Sequence, residues 1–527
     1  MQHQLDLFAA SRQQRQSIYQ NCPSRRLLPN GSGKTSIIRG ILPVFLCMVS
    51  FASVSAQDSD DTRRILEQNI ERQAADRERE LLKDEVSAPP GQRPTLTING
   101  QTYKVERTAS ALGQALYLSL QYHQWAAAKQ FLAEYLTLPD RDPLLVHYAQ
   151  GTLARMQGQM GQALAEFRAL LELQPSFLPG RLELARVLFE DAQERESEEI
   201  FSAILLSIDA SEPKTAGVRK TIETYHNALK QRRAWMGSFS FGPSWSDNVN
   251  RTSASRTCLL YDSNGFCHYE RILPEAIRAS GMDFDASLQK RIPLFRHHGL
   301  YMRSLFYGTQ YRNHGDNNET TFTTQAGYSY RDGRQQIAFA PSFEYYEWGN
   351  DALYGSWGLN GEWSYELSPI SLVKLEGEYK ELRYRREGYA RNINGTQSSV
   401  YATYFRDLGK GWAVFGGIDF VDSKAKEDIN AYQQKGVRIG ALVQVSGFQG
   451  TLLAAYKHRD YDVYNPLVEA YRKDDEQIYT LVLKAPRWQL AGFVPSLTLR
   501  HNRVKSSVDW LYSYDRNDIS LKFEYIF

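Results

Sequence analysis

The stretch of the sequence with the clearest potential for chemistry is Asn30–Thr35, which reads NGSGKT. A glycine-rich loop that ends in Gly-Lys-Thr binds phosphate, because its backbone amides surround the oxygens and its lysine balances their charge. Such a loop needs another glycine five positions before Gly33, where this chain has Leu28 followed by Pro29. It must also open a long helix, whereas an apolar run begins here at Ile41. The sequence therefore argues against a nucleotide site.

The same region is better interpreted as a secretory signal. The apolar run Ile41–Phe51 follows Lys34 and Arg39, and small residues lead up to Ala56. The run is shorter than the roughly 20 residues that a membrane-spanning helix needs. We therefore predict that residues 1–56 are an amino-terminal extension and signal peptide, with cleavage between Ala56 and Gln57, and that the protein is exported.

Two of the four cysteines, Cys258 and Cys267, lie beyond the predicted signal. A single close pair in an exported protein favours one disulfide. Chance spacing and a metal site are the alternatives, but no second Cys/His pair with ligand spacing accompanies this one. The net charge of +2 gives no reason to expect a nucleic acid partner. We predict one disulfide and no cofactor, metal ligand or catalytic residue.

Residues 57–109 are predicted to be a charged linker and a short hairpin. The segment up to Val86 is charged and helix-permissive, and it is either a solvated linker or a docking helix. From Thr95 to Val105 the side chains alternate in type around Asn99-Gly100, which predicts a hairpin with a tight turn.

Residues 110–231 carry apolar side chains at helical spacing, overlaid by a longer repeat. Small, aromatic and proline positions recur at intervals of 36 and then 34 residues: Ala127, Phe131 and Pro139, then Ala163, Phe167 and Pro175, then Ser197 and Phe201. Small residues where helices cross, with an aromatic between them, are typical of tetratricopeptide repeats. An ordinary helical bundle is the alternative. A repeat array would offer a concave surface for a peptide or protein partner.

Residues 232–527 lose the helical period and alternate in side-chain type over segments of ten to fourteen residues, as in GLYMRSLFYGTQYRN. Strands of this length with aromatic ends are typical of a membrane barrel. The segments predict fourteen strands, which start near Trp235, Met282, Leu300, Thr320, Gln335, Leu353, Ser371, Gln397, Trp412, Gln434, Phe448, Glu476, Gly492 and Asp515. The fold class is thus α plus membrane β: a tetratricopeptide-like helical domain followed by a 14-stranded antiparallel outer-membrane β-barrel.

The connections between these strands alternate in length. Those after even-numbered strands are short, such as Asp332–Arg334 and Ser446-Gly447, whereas Val249–Gly281 and Asp460–Asp475 follow odd-numbered strands. Outer-membrane barrels have short turns on the periplasmic side and long loops outside. We therefore expect both chain ends and the helical domain in the periplasm, and the cysteine pair in the first external loop.

The carboxyl-terminal residues SLKFEYIF place Phe523, Tyr525 and Phe527 on one face of a strand. A terminal Phe on such a strand resembles the signal that the outer-membrane assembly machinery recognises. These residues are the predicted barrel assembly signal.

The order of a helical repeat module and a fourteen-stranded barrel resembles the surface lipoprotein assembly modulators, called Slam, over roughly Ser110–Phe527. Asp247, Asn248 and Asn250, in SFGPSWSDNVNRTS on and after the first strand, are the most suggestive local match. The resemblance implies an outer-membrane translocator that moves client proteins to the cell surface. These clients are surface lipoproteins or related haem/iron-acquisition proteins, including haemophore-like ones.

The resemblance also implies further partners, namely periplasmic chaperones, the barrel assembly machinery and outer-membrane lipids. A polysaccharide exporter with a helical repeat module and a diffusion porin are the alternative functions. An outer-membrane lipase is a further alternative, although neither a nucleophile elbow nor an HExxH motif is present. The expected mechanism gives the client a polar path through the barrel or an opened seam between strands.

Overall fold

The computed structural model of the protein describes residues 56–82, 96–98, 101–103, 105–208, 215–466 and 468–527. Within them the chain forms a charged helix, a small hairpin, a series of paired helices and a closed barrel, in that order. The NGSGKT stretch and the apolar signal run lie outside the described residues. Among the described helices, none combines the length and the apolar character needed to cross a membrane.

The charged segment forms one long helix, α1 (Ala56–Leu81), as far as the described residues extend. The predicted hairpin is present as two short antiparallel strands, β1 (Leu96–Ile98) and β2 (Gln101–Tyr103). Its turn residues, Asn99 and Gly100, fall outside the described part of the chain.

The helical module contains α2 (Ala109–Gln121), α3 (Trp125–Tyr135), α4 (Pro143–Met156), α5 (Met160–Leu173), α6 (Leu178–Glu190), α7 (Glu194–Ser207) and α8 (Ala216–Arg233). Side-chain oxygens cap two of these helices. Thr108 accepts from the amide of Ala111 at 3.2 Å, and Asp142 accepts from that of Leu144 at 2.9 Å. Each bond satisfies a backbone donor that the first helical turn leaves without a partner.

The repeat positions of the sequence form the contacts between paired helices. Phe167 and Phe201 are fully buried, and Ala163 lies in the same apolar cluster as Phe167. Gly151 on α4 faces the ring of Phe167 on α5 so closely that a Cβ atom there would lie 2.9 Å from Cζ. The small-aromatic pattern is thus the packing of one helix onto the next, and the tetratricopeptide-like prediction is confirmed.

The barrel is a closed antiparallel sheet of fourteen strands in which the last strand pairs with the first. All predicted starts lie within three residues of the observed ones. The strands are β3 (Met236–Ser246), β6 (Ala279–Phe295), β7 (His298–Tyr311), β8 (Glu319–Arg331), β9 (Gln335–Trp348), β10 (Asp351–Ser368), β11 (Ser371–Tyr384), β12 (Gly395–Gly409), β13 (Trp412–Ala425), β14 (Tyr432–Val445), β15 (Phe448–Tyr461), β16 (Lys473–Lys484), β17 (Phe493–Ser506) and β18 (Tyr514–Ile526).

Alternation along these strands gives the barrel an apolar outside and a polar inside. Ile418 and Ile439 on the outside are 64% and 66% exposed, whereas their sequence neighbours Asp419 and Arg438 on the inside are 6% and 3% exposed. Apolar side chains on the outer surface of a closed barrel suit contact with lipid. The protein is an outer-membrane barrel.

The connections differ between the two ends of the barrel, which we call the turn end and the loop end. Turns such as Ser446-Gly447 and Lys410-Gly411 join strands at the turn end. The longest loop-end connection links β3 to β6 and contains a hairpin of β4 (Arg256–Tyr261) and β5 (Cys267–Ile272). One loop-end connection is shorter than expected: Gly349-Asn350 joins β9 to β10 with positive φ at both residues, as a two-residue hairpin turn requires.

The joint between β3 and β18 is interrupted at its centre. Phe241 pairs with Phe523 and Ser244 pairs with Ser520, but Gly242 and Pro243 between them have no register partners on β18. Proline has no amide hydrogen to donate to a ladder. A Cβ atom on Gly242 would lie 2.0 Å from the carbonyl oxygen of Leu521, so only glycine lets the two strands approach here.

Replacing Gly151 tests the helix packing. We expect Gly151→Leu to lower the free energy of unfolding of the helical module by about 1–3 kcal/mol, because the new side chain overlaps the ring of Phe167. Gly161→Leu is the matched control, since a Cβ atom on Gly161 meets nothing within 4 Å. Thermal unfolding of the full-length protein measures both. Equal unfolding temperatures of the Gly151→Leu and Gly161→Leu variants would contradict the close packing of Gly151 on Phe167.

Replacing Gly242 tests the closing joint. We expect Gly242→Ala to lower the temperature at which the folded, detergent-resistant band disappears on gels, because the added methyl group pushes against the backbone of β18. The control is Gly377→Ala on β11, where a Cβ atom meets nothing within 4 Å. A Gly242→Ala barrel as heat-resistant as the control would show that the two strands do not approach this closely.

Candidate functional site

The lumen of the barrel is lined by charged side chains that point inward from successive strands. Buried examples are Arg303, Glu344, Glu362, Lys374, Glu378, Lys380, Asp419, Arg438, Lys457, Arg459, Asp474 and Glu476. Charges this far from bulk water are stable only when they are paired. They pair between strands that are not adjacent in the sheet: Arg303 Nη1 of β7 lies 2.8 Å from Glu362 Oε1 of β10, and Lys380 Nζ of β11 lies 3.1 Å from Glu344 Oε2 of β9. The wall is therefore a network of ion pairs.

Helix α1 lies inside this lumen. Near its amino-terminal end, Arg63 Nη2 is 3.3 Å from Glu378 Oε2, and Arg64 Nη1 is 3.7 Å from Asp419 Oδ1. The guanidinium of Arg64 also lies over the ring of Tyr401, 3.2 Å from its centroid. Two cations of the helix are thus bound by two carboxylates and an aromatic ring of the wall.

The middle of α1 carries the opposite charge and meets the opposite charge on the wall. Glu67 Oε2 is 3.8 Å from Arg303 Nη1, and Glu71 Oε1 is 3.1 Å from both Arg303 Nη2 and Lys374 Nζ. Because Arg63, Glu67 and Glu71 are four residues apart, they lie on one face of the helix. That face therefore presents a cation followed by two anions to a wall with the complementary order.

Three lumen carboxylates come close enough together to suggest a metal site. One oxygen each from Glu67, Glu362 and Glu376 lies within 4.8 Å of the others. However, Lys374 Nζ is 3.5 Å from an oxygen of both Glu362 and Glu376, and Arg303 pairs with Glu67 and Glu362. These cations supply the positive charge that a metal ion would otherwise provide.

Cavities border α1 toward both ends of the barrel. At the turn end a cavity of about 580 Å³ is bordered by Arg72 of the helix, Arg232 of α8 and Trp412 of the wall. Toward the loop end a cavity of about 170 Å³ is bordered by Thr62 and by Arg516 of β18. The amino-terminal end of α1 therefore points to the loop end, and its carboxyl-terminal end to the turn end.

The helical module contacts the turn end of the barrel through polar side chains. Glu194 at the start of α7 is almost fully buried, and its carboxylate lies 3.2 Å from Arg291 of β6 and 3.9 Å from Arg233 of α8. Asp191 Oδ2 lies 2.8 Å from Nε2 of His297 in the turn between β6 and β7. These contacts hold the helical module at the mouth of the lumen.

Asp247, Asn248 and Asn250, the residues of the local match to the Slam family, lie where the barrel closes at the loop end. The carboxylate of Asp247 accepts from the amide of Asn517 on β18 at 2.8 Å and from its side chain at 2.6 Å. Asn248 donates to the carbonyl of Asp515 at 3.0 Å, and Asn250 accepts from the amide of Ile277 at 2.9 Å. Together they join the first strand to the last and to the end of the long loop.

The terminal residues Phe523, Tyr525 and Phe527 lie on the outer, lipid-facing side of β18. The ring of Tyr525 is 5.5 Å from that of Phe239 on β3. Phe527 and Gly237 exchange two backbone hydrogen bonds, of 3.0 and 3.2 Å, at the turn end. The residues are thus part of the closing joint, and their role as an assembly signal stays a prediction.

The other predicted residues are the cysteine pair and the two residues of the cleavage site. Cys258 and Cys267 form a disulfide that links the two strands of a hairpin, β4 (Arg256–Tyr261) and β5 (Cys267–Ile272), in the first loop-end connection. Ala56 and Gln57 are the first residues of α1. Cleavage between them stays a prediction and would make α1 the start of the mature chain.

Sequence reasoning missed the residues that fill the lumen. The spacing of Arg63, Glu67 and Glu71 was the available signal, because charges at intervals of four mark one helix face. It could not show that this face meets Arg303, Lys374 and Glu378, which follow hundreds of residues later.

The contact between His297 and Asp191 predicts a pH dependence. The hydrogen bond to Asp191 raises the pKa of His297 above its ordinary value of about 6.5. The contact therefore contributes its full stability below about pH 6.5 and loses it as the pH rises through the raised pKa. We expect hydrogen-exchange protection factors at residues 191–197 to fall over that range in the wild type. A pH-independent protection in the wild type, equal to that of His297→Gln, would contradict this.

Comparison with known proteins agrees with this architecture. A family model described as surface lipoprotein assembly modifier matches residues 235–527, and one described as its N-terminal TPR repeats matches residues 98–201. The Hemophilin secretion modulator of Acinetobacter baumannii is 39% identical over 92% of this chain and 99% of that protein. Surface lipoprotein assembly modifier 2 of Neisseria meningitidis serogroup B is 25% identical over 71% of this chain and 78% of that protein.

Among solved structures, the outer membrane channel DcaP of Acinetobacter baumannii matches 56% of this chain and 96% of that one, with 8% identity and a TM-score of 0.33. The sequence matches cover both the helical module and the barrel. The chain belongs to the surface lipoprotein assembly modifier family.

Proposed function

We propose that this protein moves specific client proteins from the periplasm to the cell surface. The observation that carries the proposal is the arrangement of one charged lumen and one helical repeat module fixed at its turn-end mouth. Short turns mark the periplasmic side of outer-membrane barrels, so the module lies where a client would arrive. The names of the relatives indicate the kind of client: a surface lipoprotein, or a secreted hemophilin-like protein.

The chemistry of the lumen suits a polypeptide. The wall carries both acidic and basic side chains, so it has no single sign of charge that would select small anions or cations. An unfolded protein segment carries both signs and many backbone donors and acceptors, which such a wall can contact in turn. We propose no enzymatic step, cofactor or nucleic acid partner.

The remaining partners follow from the location of the protein. The apolar outer surface contacts outer-membrane lipids. Phe523, Tyr525 and Phe527 serve as the signal for the barrel assembly machinery, and periplasmic chaperones keep the client unfolded until the module binds it. Residues 57–109 form the lumen helix and its hairpin. Residues 110–231 act as the client-binding domain, and residues 232–527 form the barrel.

Separating the module from the barrel tests this function. We expect Glu194→Lys to reduce client display several-fold while the barrel still inserts, because the new cation faces Arg233 and Arg291 in a buried site. The control is Glu196→Lys two residues away, whose partly exposed carboxylate pairs only with the exposed Arg168 among the described contacts. Protease added to whole cells measures how much client lipoprotein is outside.

Each alternative predicts a different outcome of the same experiment. A polysaccharide exporter would leave client display unchanged and lose secreted polymer in the Glu194→Lys cells. A diffusion porin would change neither. Full client display in cells that lack the whole protein would contradict the proposed function outright.

A further inference from the structure

Helix α1 occupies the path that a client would need. Its 26 residues extend over about 39 Å, more than the roughly 30 Å of the hydrocarbon core, and its side chains fill a cylinder about 10 Å across. The space left beside it toward the loop end is a cavity of about 170 Å³. A polypeptide segment and α1 therefore cannot share the lumen, and one must displace the other.

The wall does not need α1 to keep its charges paired. Each wall group that pairs with the helix also has a wall partner of opposite charge. Asp419 lies 2.8 Å from Arg438, and Glu378 lies 3.9 Å from Lys380. Arg303 and Lys374 share Glu362, at 2.8 and 3.5 Å respectively. Breaking a buried ion pair is costly mainly because it leaves one charge buried and unpaired. Here the helix charges move to water and the wall charges stay paired, so release is inexpensive.

Apolar contact adds little to the binding of the helix. Leu66 and Ile70 pack against Leu305 and Tyr307 of β7, which forms a small cluster compared with those inside the helical module. The helix is consequently held by charge complementarity, and a competitor needs the same charge order rather than a particular shape.

The carboxyl-terminal end of α1 is attached differently from the rest. Glu78 accepts two hydrogen bonds from Arg232 of α8, at 2.6 and 3.0 Å, and Leu82 packs on an apolar cluster of the module that includes Tyr225 and Leu229. The part of the helix that leaves the lumen would thus remain tethered to the module at the turn end.

We propose that the lumen wall forms a polypeptide-binding groove with α1 as its resident occupant. The groove is acidic toward the loop end, at Glu378 and Asp419, and basic below it, at Arg303 and Lys374. An incoming client segment with cations followed by anions at helical spacing displaces α1 out of the turn end of the lumen, where Glu78 keeps it attached to the helical module. The identity of the displacing chain rests on the proposed function. The groove and its occupant α1 can be tested without any client.

Channel measurements on the full-length protein in planar bilayers test the groove. Arg63→Glu with Arg64→Glu places two anions against Glu378 and Asp419, so we expect the conductance to rise by at least about threefold as the helix leaves a cylinder about 10 Å wide. The matched control is Arg77→Glu with Arg79→Glu on the same helix, where the side chain of Arg79 is 76% exposed. The control should conduct as the wild type does.

A synthetic peptide of residues 57–82, added on the turn-end side, should return the Arg63→Glu/Arg64→Glu channel to wild-type conductance. A peptide in which the charges at positions 63, 64, 67 and 71 are exchanged should not. If that variant does not fold, Glu67→Gln with Glu71→Gln replaces it and should give the same rise. A folded variant that conducts like the wild type, or closure by both peptides alike, would overturn the proposal. Full client display in cells that lack the protein, with these conductances as expected, would instead contradict the proposed function and leave the groove standing.

Discussion

The requirement that every backbone hydrogen bond be satisfied within lipid governs this structure. A sheet in a membrane must close on itself, because a free edge would leave donors and acceptors without partners. Closure of fourteen strands brings β18 against β3, and this joint needs Gly242, because a Cβ atom at that position would lie 2.0 Å from the carbonyl oxygen of Leu521. The same closure fixes which side chains face inward, and with them the charge of the lumen.

A lumen lined by charges has a consequence for the rest of the chain. Its acidic and basic groups are distributed so that the wall is paired by itself, yet a complementary helix still binds. Helix α1 contributes charge rather than apolar area, whereas the helical module is built on apolar clusters and on aromatic contacts such as Phe167 on Gly151. The stable part of the structure and its exchangeable part therefore differ in the interactions that hold them.

The helical module contacts both the barrel and the carboxyl-terminal end of α1. Glu194 and Asp191 fix the module to the turn end, and Arg232 of the same module binds Glu78 of α1. A client bound by the module would thus be next to the carboxyl-terminal end of α1, at the turn end of the lumen. The loop-end contacts of Asp247 with Asn517 close the barrel on the far side.

The barrel and the repeat helices could be predicted from the sequence because their signals are local. Alternation of side chains defines each strand, and Ala163 and Phe167 four residues apart define a helix face. The hairpin β4–β5 within the first loop was missed, since Leu260 and Tyr269 on its strands are largely exposed and give no alternating pattern. The binding of Arg63 to Glu378 joins residues 315 positions apart, and no local pattern encodes such a pairing. Charge spacing on α1 indicated a face but not its partner.

The passage of a client through the lumen is the central claim, and photocrosslinking tests it most directly. A photoreactive amino acid at Ser399 faces the lumen, and the same residue at Val400, its neighbour on β12, faces lipid: the two positions are 2% and 57% exposed. In cells that are exporting the client, illumination should join the client to position 399 and not to position 400. Client adducts at neither position, or at 400 alone, would contradict a route through the barrel.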